Sequence, residues 1–345
     1  MSQTRVLNVL VRNKRIVSGE KRMFTKILGT VLLFLFLLPY VVTSLFGNVN
    51  DIGSLGVVGL ALVDWDKELA GGSIYVENRT NVGRERIPLE IYLLDKLARS
   101  INTDYHLEAL KAQVVLLRTA LLEELWETEG SVRGMENRPV GTLQIVDPEY
   151  GRGILTQDVI MAVTSTKGII LTYNDKPAKV AYFAVSNGRT RDGCEAFGQG
   201  SLPYFKAVEC NRDFLAENFS SQKSMGRNEF ISAIEKAASI TLADDFGIGD
   251  MRINRDLSGY VTEIIFETSP DPVTLSGEEC RVIWGLSSSS FSIEENRNRI
   301  IFNVRGVGHG LGMSQFAANE MAKSDKDYLA ILEYFFSGAL LNKFE

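Results

Sequence analysis

The chain has 345 residues, 45% of them hydrophobic and 23% charged, and carries a net charge of −6. One large domain or two ordinary ones fit that length, and the acidity beyond residue 26 argues against a nucleic-acid partner. Two histidines and three scattered cysteines, with no Cys-x-x-Cys or His-x-x-x-His spacing, argue against a structural zinc site, so neither metal nor cofactor is expected.

Residues 1–26 form a basic tail: seven basic residues stand against Glu20, a net of +6, which leaves −12 on the remainder. From Ile27 to Phe46 run twenty residues without a charge, a length that at about 1.5 Å per residue matches a hydrocarbon core of about 30 Å. The run is long for the apolar part of a signal peptide and no small-x-small site follows it, so an uncleaved single-pass anchor is expected. The basic flank stays in the cytoplasm, which puts the main domain outside it. Residues 47–73, rich in glycine and valine, read as a linker, and 74–345 as one ectodomain.

Pro88 opens a first helix with Ile91, Leu94, Leu97, Ala98 and Ile101 on one face. Asn102-Thr103-Asp104 offers a cap for a second, where Leu107, Leu110, Val114, Leu117, Leu121 and Leu125 form a stripe. From 143 to 203 the pattern gives helix, hairpin and loop, with 168–173 pairing 179–185 around Asn174-Asp175-Lys176-Pro177. Further on, 230–240 reads as a helix, 259–268 and 272–275 as strands, 277–286 as a helix, and 328–336 as a closing helix. The fold class expected is α+β: helices and antiparallel strands in one domain behind the anchor. Cys194 and Cys210 could pair in an oxidising compartment, leaving Cys280 as a buried thiol.

The densest motif is Gly306-Val307-Gly308-His309-Gly310-Leu311-Gly312-Met313-Ser314-Gln315-Phe316, between a strand-like run 299–304 and a helix-compatible run 316–321. Glycine at every second position allows positive φ and close approach to a ligand or another stretch of chain. His309 is then either a proton-transfer group or an imidazole bonded within a tight connection. Glu108, in the first turn of the second helix, is the candidate acid/base. Its ordinary alternative is a carboxylate at the positive helix end, paired with Lys111. Arg118, beside Thr119 among apolar neighbours, is either a buried ion-pair member or a ligand clamp. Ser186-Asn187-Gly188-Arg189-Thr190-Arg191-Asp192 could offer donors to a polar ligand or form a solvated loop. Ser314 and His309 do not suggest a serine hydrolase, because the sequence lacks a nucleophile elbow.

In order along residues 74–338, the segments Ile87–Leu94, Glu108–Gln113 with Arg118-Thr119, Ser186–Thr190, Pro203–Val208 and Gly306–Gln315 resemble the stage II sporulation protein D family, related to amidase-enhancer proteins. The resemblance implies septal peptidoglycan remodelling during engulfment in endospore formation, from a mother-cell membrane facing the septum. It implies a lytic transglycosylase: a glutamic acid protonates the oxygen between N-acetylmuramic acid and N-acetylglucosamine, and the muramyl 6-hydroxyl closes on C1. One carboxyl group then serves as acid and base, unlike the pair that most glycosidases use. Implied partners are glycan strands, the membrane, and the M and P proteins of the same stage. On this reading Glu108 and His309 are catalytic, while Arg118, Ser186, Asn187, Arg189, Thr190, Ser314 and Gln315 bind the saccharide.

The sequence departs from the family where the acid is expected. Many members carry Glu-Met-Pro just before the second helix; here Ser100-Ile101-Asn102 stand there, and a serine cannot protonate a leaving group in that role. The family's His and Cys metal ligands are also unmatched, with Phe183 and Val185 in that strand. Two readings follow. In one the chain is a transglycosylase using Glu108; in the other it is a peptidoglycan-binding scaffold that recruits or stimulates a hydrolase. They separate on Glu108, which an enzyme needs in a cleft near His309 and a scaffold can leave salt-bridged.

Overall fold

A computed structural model describes residues 74–80, 83–129, 141–198, 200–243, 245–268, 271–297 and 299–343. The basic tail, the apolar run 27–46 and the linker lie outside the described residues, which all belong to the unit Gly56–Glu345. No described helix is long and apolar enough to cross a membrane.

The order begins β1 (Ile74–Thr80), β2 (Gly83–Pro88), α1 (Leu89–Ser100), α2 (Leu107–Glu129), β3 (Gly141–Ile145) and α3 (Gln157–Ser165). It continues with β4 (Ile169–Tyr173), β5 (Lys176–Pro177), β6 (Tyr182–Phe183), α4 (Gly193–Phe197), β7 (Ser220–Gly226) and α5 (Arg227–Ala238). Then come β8 (Met251–Arg255), β9 (Val261–Phe266), β10 (Val273–Ser276), α6 (Gly277–Ile283), β11 (Phe291–Asn296) and β12 (Arg299–Arg305). The chain closes with β13 (Met313–Ser314), α7 (Gln315–Ala322), α8 (Tyr328–Phe335) and β14 (Leu340–Lys343). Helices and strands are mixed, as α+β requires. The strands are not all antiparallel, however: β3 runs parallel to β1, and β13 parallel to β6.

Helix α2 is the axle of the first part. Its leucine stripe packs into one core with Leu93, Leu97 and Val163, while Ala109, Ala112, Val115 and Leu116 on the opposite side enter a second core with Phe205, Met313, Ile331 and Phe335. The expected one-sided helix is therefore buried on two sides through its middle, Ala112 to Thr119, which explains why its central sequence is apolar on both faces. Glu124 and Glu127 near its end are exposed. A third core is built wholly from residues 225–304, where Trp284 stacks on Phe230 at 5.0 Å and meets Phe302 at 5.1 Å. This gives a second lobe of α5, α6 and the sheets β10-β9-β8 and β11-β12-β7.

The hairpin differs from the expected one. Its turn is Asn174-Asp175 alone, with φ of 50° and 60°, a two-residue turn whose twist suits flanking strands. Lys176 and Pro177 already pair with Tyr173 and Thr172, and the Ala178 amide extends the pairing by donating to the Leu171 carbonyl at 3.0 Å. The cysteines are free thiols. Backbone bonds set Cys210 beside Gly188 and Gly193 beside Phe205, so Cys194 sits at the opposite end of this loop from Cys210. A disulfide needs Cα atoms within about 7 Å. Cys280 is buried as expected, and burial pushes its thiol up to about 12.

Candidate functional site

The glycine-rich block follows β12 and threads between the two lobes. Gly306, Gly308, Gly310 and Gly312 all have positive φ, from 75° to 115°. Two of them show why no side chain is tolerated. A Cβ on Gly310 would lie 2.4 Å from the Tyr260 ring, and one on Gly312 would lie 2.1 Å from the Ala181 carbonyl oxygen. The close approach is therefore to the protein's own chain.

His309 is half-buried against Phe183, ring centroids 5.6 Å apart. Its Nδ1 accepts from the Leu311 amide at 3.1 Å, which leaves the proton of the neutral ring on Nε2. Burial lowers its pKa, with Arg281 and Arg191 pushing the same way, while Glu278 and a hydrogen bond to the Tyr182 backbone oppose them. The shift favours the neutral ring, which is bonded to backbone at both Leu311 and Tyr182.

The Ser186–Asp192 segment turns out to be an inter-lobe staple. Asn187 donates to the Ser258 carbonyl at 2.8 Å and to the Ser290 hydroxyl at 3.0 Å, and its amide donates to the Tyr260 hydroxyl at 3.1 Å. Arg191 pairs with Asp256 at 2.6 Å, both side chains buried. Thr190, 1% exposed, donates to the Lys206 carbonyl and accepts from the Val208 amide. Arg189 alone of this group is well exposed, in an ion pair with Glu209 at 3.3 Å.

A residue that sequence reasoning missed holds these pieces together. Asp213, 0% exposed, accepts from the Ser186 amide and from the Ser314 hydroxyl, each at 2.7 Å. An isolated aspartate in a loop carries no spacing signal, so only the fold reveals it. Burial raises its pKa, against the hydrogen bonds from Ser186 and Ser314 that lower it. A raised native pKa means that the folded state holds the proton more tightly. Stability from this group is then greatest below the unfolded value, about 3.9, and falls as pH rises through the native one. Asp213→Asn should therefore gain on wild type as pH climbs from about 4 to 7. Urea unfolding at a series of pH values checks this, and a constant difference between the two proteins would refute it.

Several expected saccharide ligands are too deeply placed to touch one. Arg118 is 1% exposed and gripped by Glu90 through Nε at 2.8 Å and Nη2 at 2.7 Å, with Nη1 donating to the Ile169 carbonyl at 3.0 Å. It is the buried ion-pair member, not the clamp. Ser186 and Ser314 are 0% exposed, and Ser314 caps α7 by accepting from the Ala317 amide. Thr190 is bonded into its own loop, as above.

Glu108 is fully engaged. One carboxylate oxygen meets Lys111 at 2.6 Å, and the other accepts from the Tyr328 amide at 2.9 Å, capping the start of α8. His309, bonded to Leu311 and facing Phe183, shares none of these partners. What the structure does bring together is Gln315 and Ser100: the Gln315 amide donates to the Ser100 carbonyl at 2.7 Å and to Gln113 Oε1 at 3.3 Å. The Ser100 hydroxyl donates only back into α1, to Leu97. Among the described residues no group of three or more His, Cys, Asp or Glu side chains could hold a metal ion.

The model of the family described as "Stage II sporulation protein" matches residues 77–173, from β1 through β4. The chain is 30% identical over 292 residues to the stage II sporulation protein D of Bacillus subtilis (strain 168), covering 79% of this chain and 81% of that protein. It is 27% identical to that of Bacillus amyloliquefaciens, covering 77% of each. To the amidase enhancer of Bacillus subtilis (strain 168) it is 23% identical, over 72% of this chain and 40% of that protein.

Proposed function

This chain belongs to the stage II sporulation protein D family, and on that premise we propose that it works on septal peptidoglycan in endospore formation as a glycan-engaging component that does not itself cut. Residues 27–46 anchor it, with 74–345 outside the mother-cell membrane and facing the septum. Its partners on this reading are glycan strands and the M and P proteins of the same stage, one of which it recruits or stimulates. The similarity to a protein named an amidase enhancer supports that role.

The observation that carries the reading is the state of the two acid positions. Ser100 stands where many members of the family carry glutamate, and Glu108 spends both oxygens on Lys111 and the Tyr328 amide. Lytic transglycosylase chemistry needs a carboxyl group that holds a proton beside the glycosidic oxygen. Both oxygens of Glu108 are instead bonded within the protein, to Lys111 and to the start of α8.

The test is incubation of the purified chain with sacculi, followed by mass spectrometry for 1,6-anhydro-muramyl ends, with Glu108→Gln and Ser100→Glu variants alongside. Wild type should sediment with the sacculi and release no anhydro product. Anhydro ends from wild type that vanish in Glu108→Gln would overturn the reading in favour of a transglycosylase with a reassigned acid. Product from Ser100→Glu alone would identify α1's end as an intact groove that lacks only its acid.

A further inference from the structure

Sheet β2-β1-β3 buries one face; on the other, Tyr75, Glu77 and Thr142 are half-buried and Arg79, Arg84, Arg86 and Gln144 exposed. Ile74, Val76, Asn78 and Ile87 point into the core, so alternation puts Tyr75, Glu77 and Arg79 on the opposite side. The register then places Pro88, Arg86 and Arg84 of β2 beside them, and Thr142 and Gln144 of β3. This outer face carries three arginines against one acid. Glu77 is shared between Arg79 at 3.6 Å and Arg84 at 3.7 Å, whose side chains stay 47% and 69% exposed. Arg86 lies 4.0 Å above the Tyr75 ring. Val146, just past β3, is 76% exposed. A cationic sheet face with an aromatic ring and an aliphatic fringe is unusual on a chain whose remainder past residue 26 is at −12.

We propose that this face docks onto anionic phospholipid headgroups of the membrane that carries the chain. Two facts select the lipid surface over an anionic wall polymer. The face lies on β1 and β2, and just 27 residues (47–73) separate β1 from the apolar run. Arginine with tyrosine and an exposed aliphatic group is also the chemistry of a membrane interface, where rings sit at headgroup level and cations meet phosphates. Docking fixes how the lobes and the Ser100–Gln315 region present themselves to the glycan. The inference rests on the membrane anchoring proposed above.

The full-length chain is reconstituted in vesicles of phosphatidylcholine, with and without phosphatidylglycerol. An environment-sensitive fluorophore sits at Gln144→Cys in a Cys194→Ser background. Phosphatidylglycerol should produce a blue shift that added salt reverses. The docked population should rise about fivefold per net charge, on the order of thirtyfold in all. The triple variant Arg79→Gln, Arg84→Gln, Arg86→Gln should lose that response while circular dichroism stays unchanged. A fluorophore with the same emission in both lipids overturns the inference, as does a shift that sacculi produce and phosphatidylglycerol does not. Alkaline carbonate extraction runs on the same samples. Release of the chain there overturns the anchor alone, since the shift on anionic vesicles is read independently of insertion.

Discussion

Arg118→Met is expected to lower stability by about 3–5 kcal/mol, because it strands the Glu90 carboxylate in the interior without its partner. The pair does more than neutralise charge. Glu90 sits in the first turn of α1, Arg118 is mid-way along α2, and the guanidinium also takes the Ile169 carbonyl at the start of β4. The Gly168 amide donates to the same carboxylate at 3.3 Å. Three elements therefore meet at one ion pair with almost no solvent contact. A double variant, Arg118→Met with Glu90→Leu, should recover most of the loss, since replacing both members of a buried pair by apolar groups is often neutral. Urea midpoints of the wild type, the two single variants and the double variant give the coupling directly. A loss below about 1 kcal/mol for Arg118→Met would mean that Glu90 finds water on its own and that the pair does not clamp this junction.

Gly312→Ala is expected to cost about 2–5 kcal/mol. The left-handed conformation at φ +75° accounts for about 1–2 kcal/mol in any L-residue. Overpacking adds about 1–3 kcal/mol, because the new methyl would meet the Ala181 carbonyl oxygen at 2.1 Å. That carbonyl cannot simply retreat, since it accepts the Met313 amide at 3.0 Å and so registers β13 on β6. Gly338→Ala is the control: its φ is +93°, yet nothing lies within 4 Å of the added Cβ. It should show the conformational part alone. Equal losses for the two variants would refute the claim that close approach, and not backbone conformation, makes the motif glycine-rich.

Of the two sites, Arg118 first looked like a ligand for a saccharide and Gly312 like part of a close-approach motif, and the contrast shows where sequence reasoning stops. Helical stripes, the strand before the glycine block and the need for positive φ within it were all legible. They depend on local periodicity and on the backbone preferences of single residues. The cap of α2 was not legible: Asn102-Thr103-Asp104 forms a turn upstream, and His106 Nδ1 accepts from the Glu108 amide at the helix start. Nor was the partner of a polar side chain. Arg118 reads equally well as an ion-pair member or a clamp until Glu90, 28 residues earlier, is seen against it. Ser186-Asn187-Gly188 reads as a binding loop until residues 258 and 290 from the second lobe are found in its place of contact.

Glu108 shows the same limit from the other side. Its bond to Lys111, three residues on, was open to sequence reasoning, whereas its bond to Tyr328, 220 residues away, was not. The amino-acid sequence by itself determined the family, the charge asymmetry around residues 27–46 and the α+β class, because each is written in ordered motifs, composition or short-range period. Only the tertiary structure decided which polar groups are spent on the protein and which stay free for a ligand. A hydrogen bond is satisfied by whichever partner the fold brings within about 3 Å, and that partner can come from anywhere in the chain.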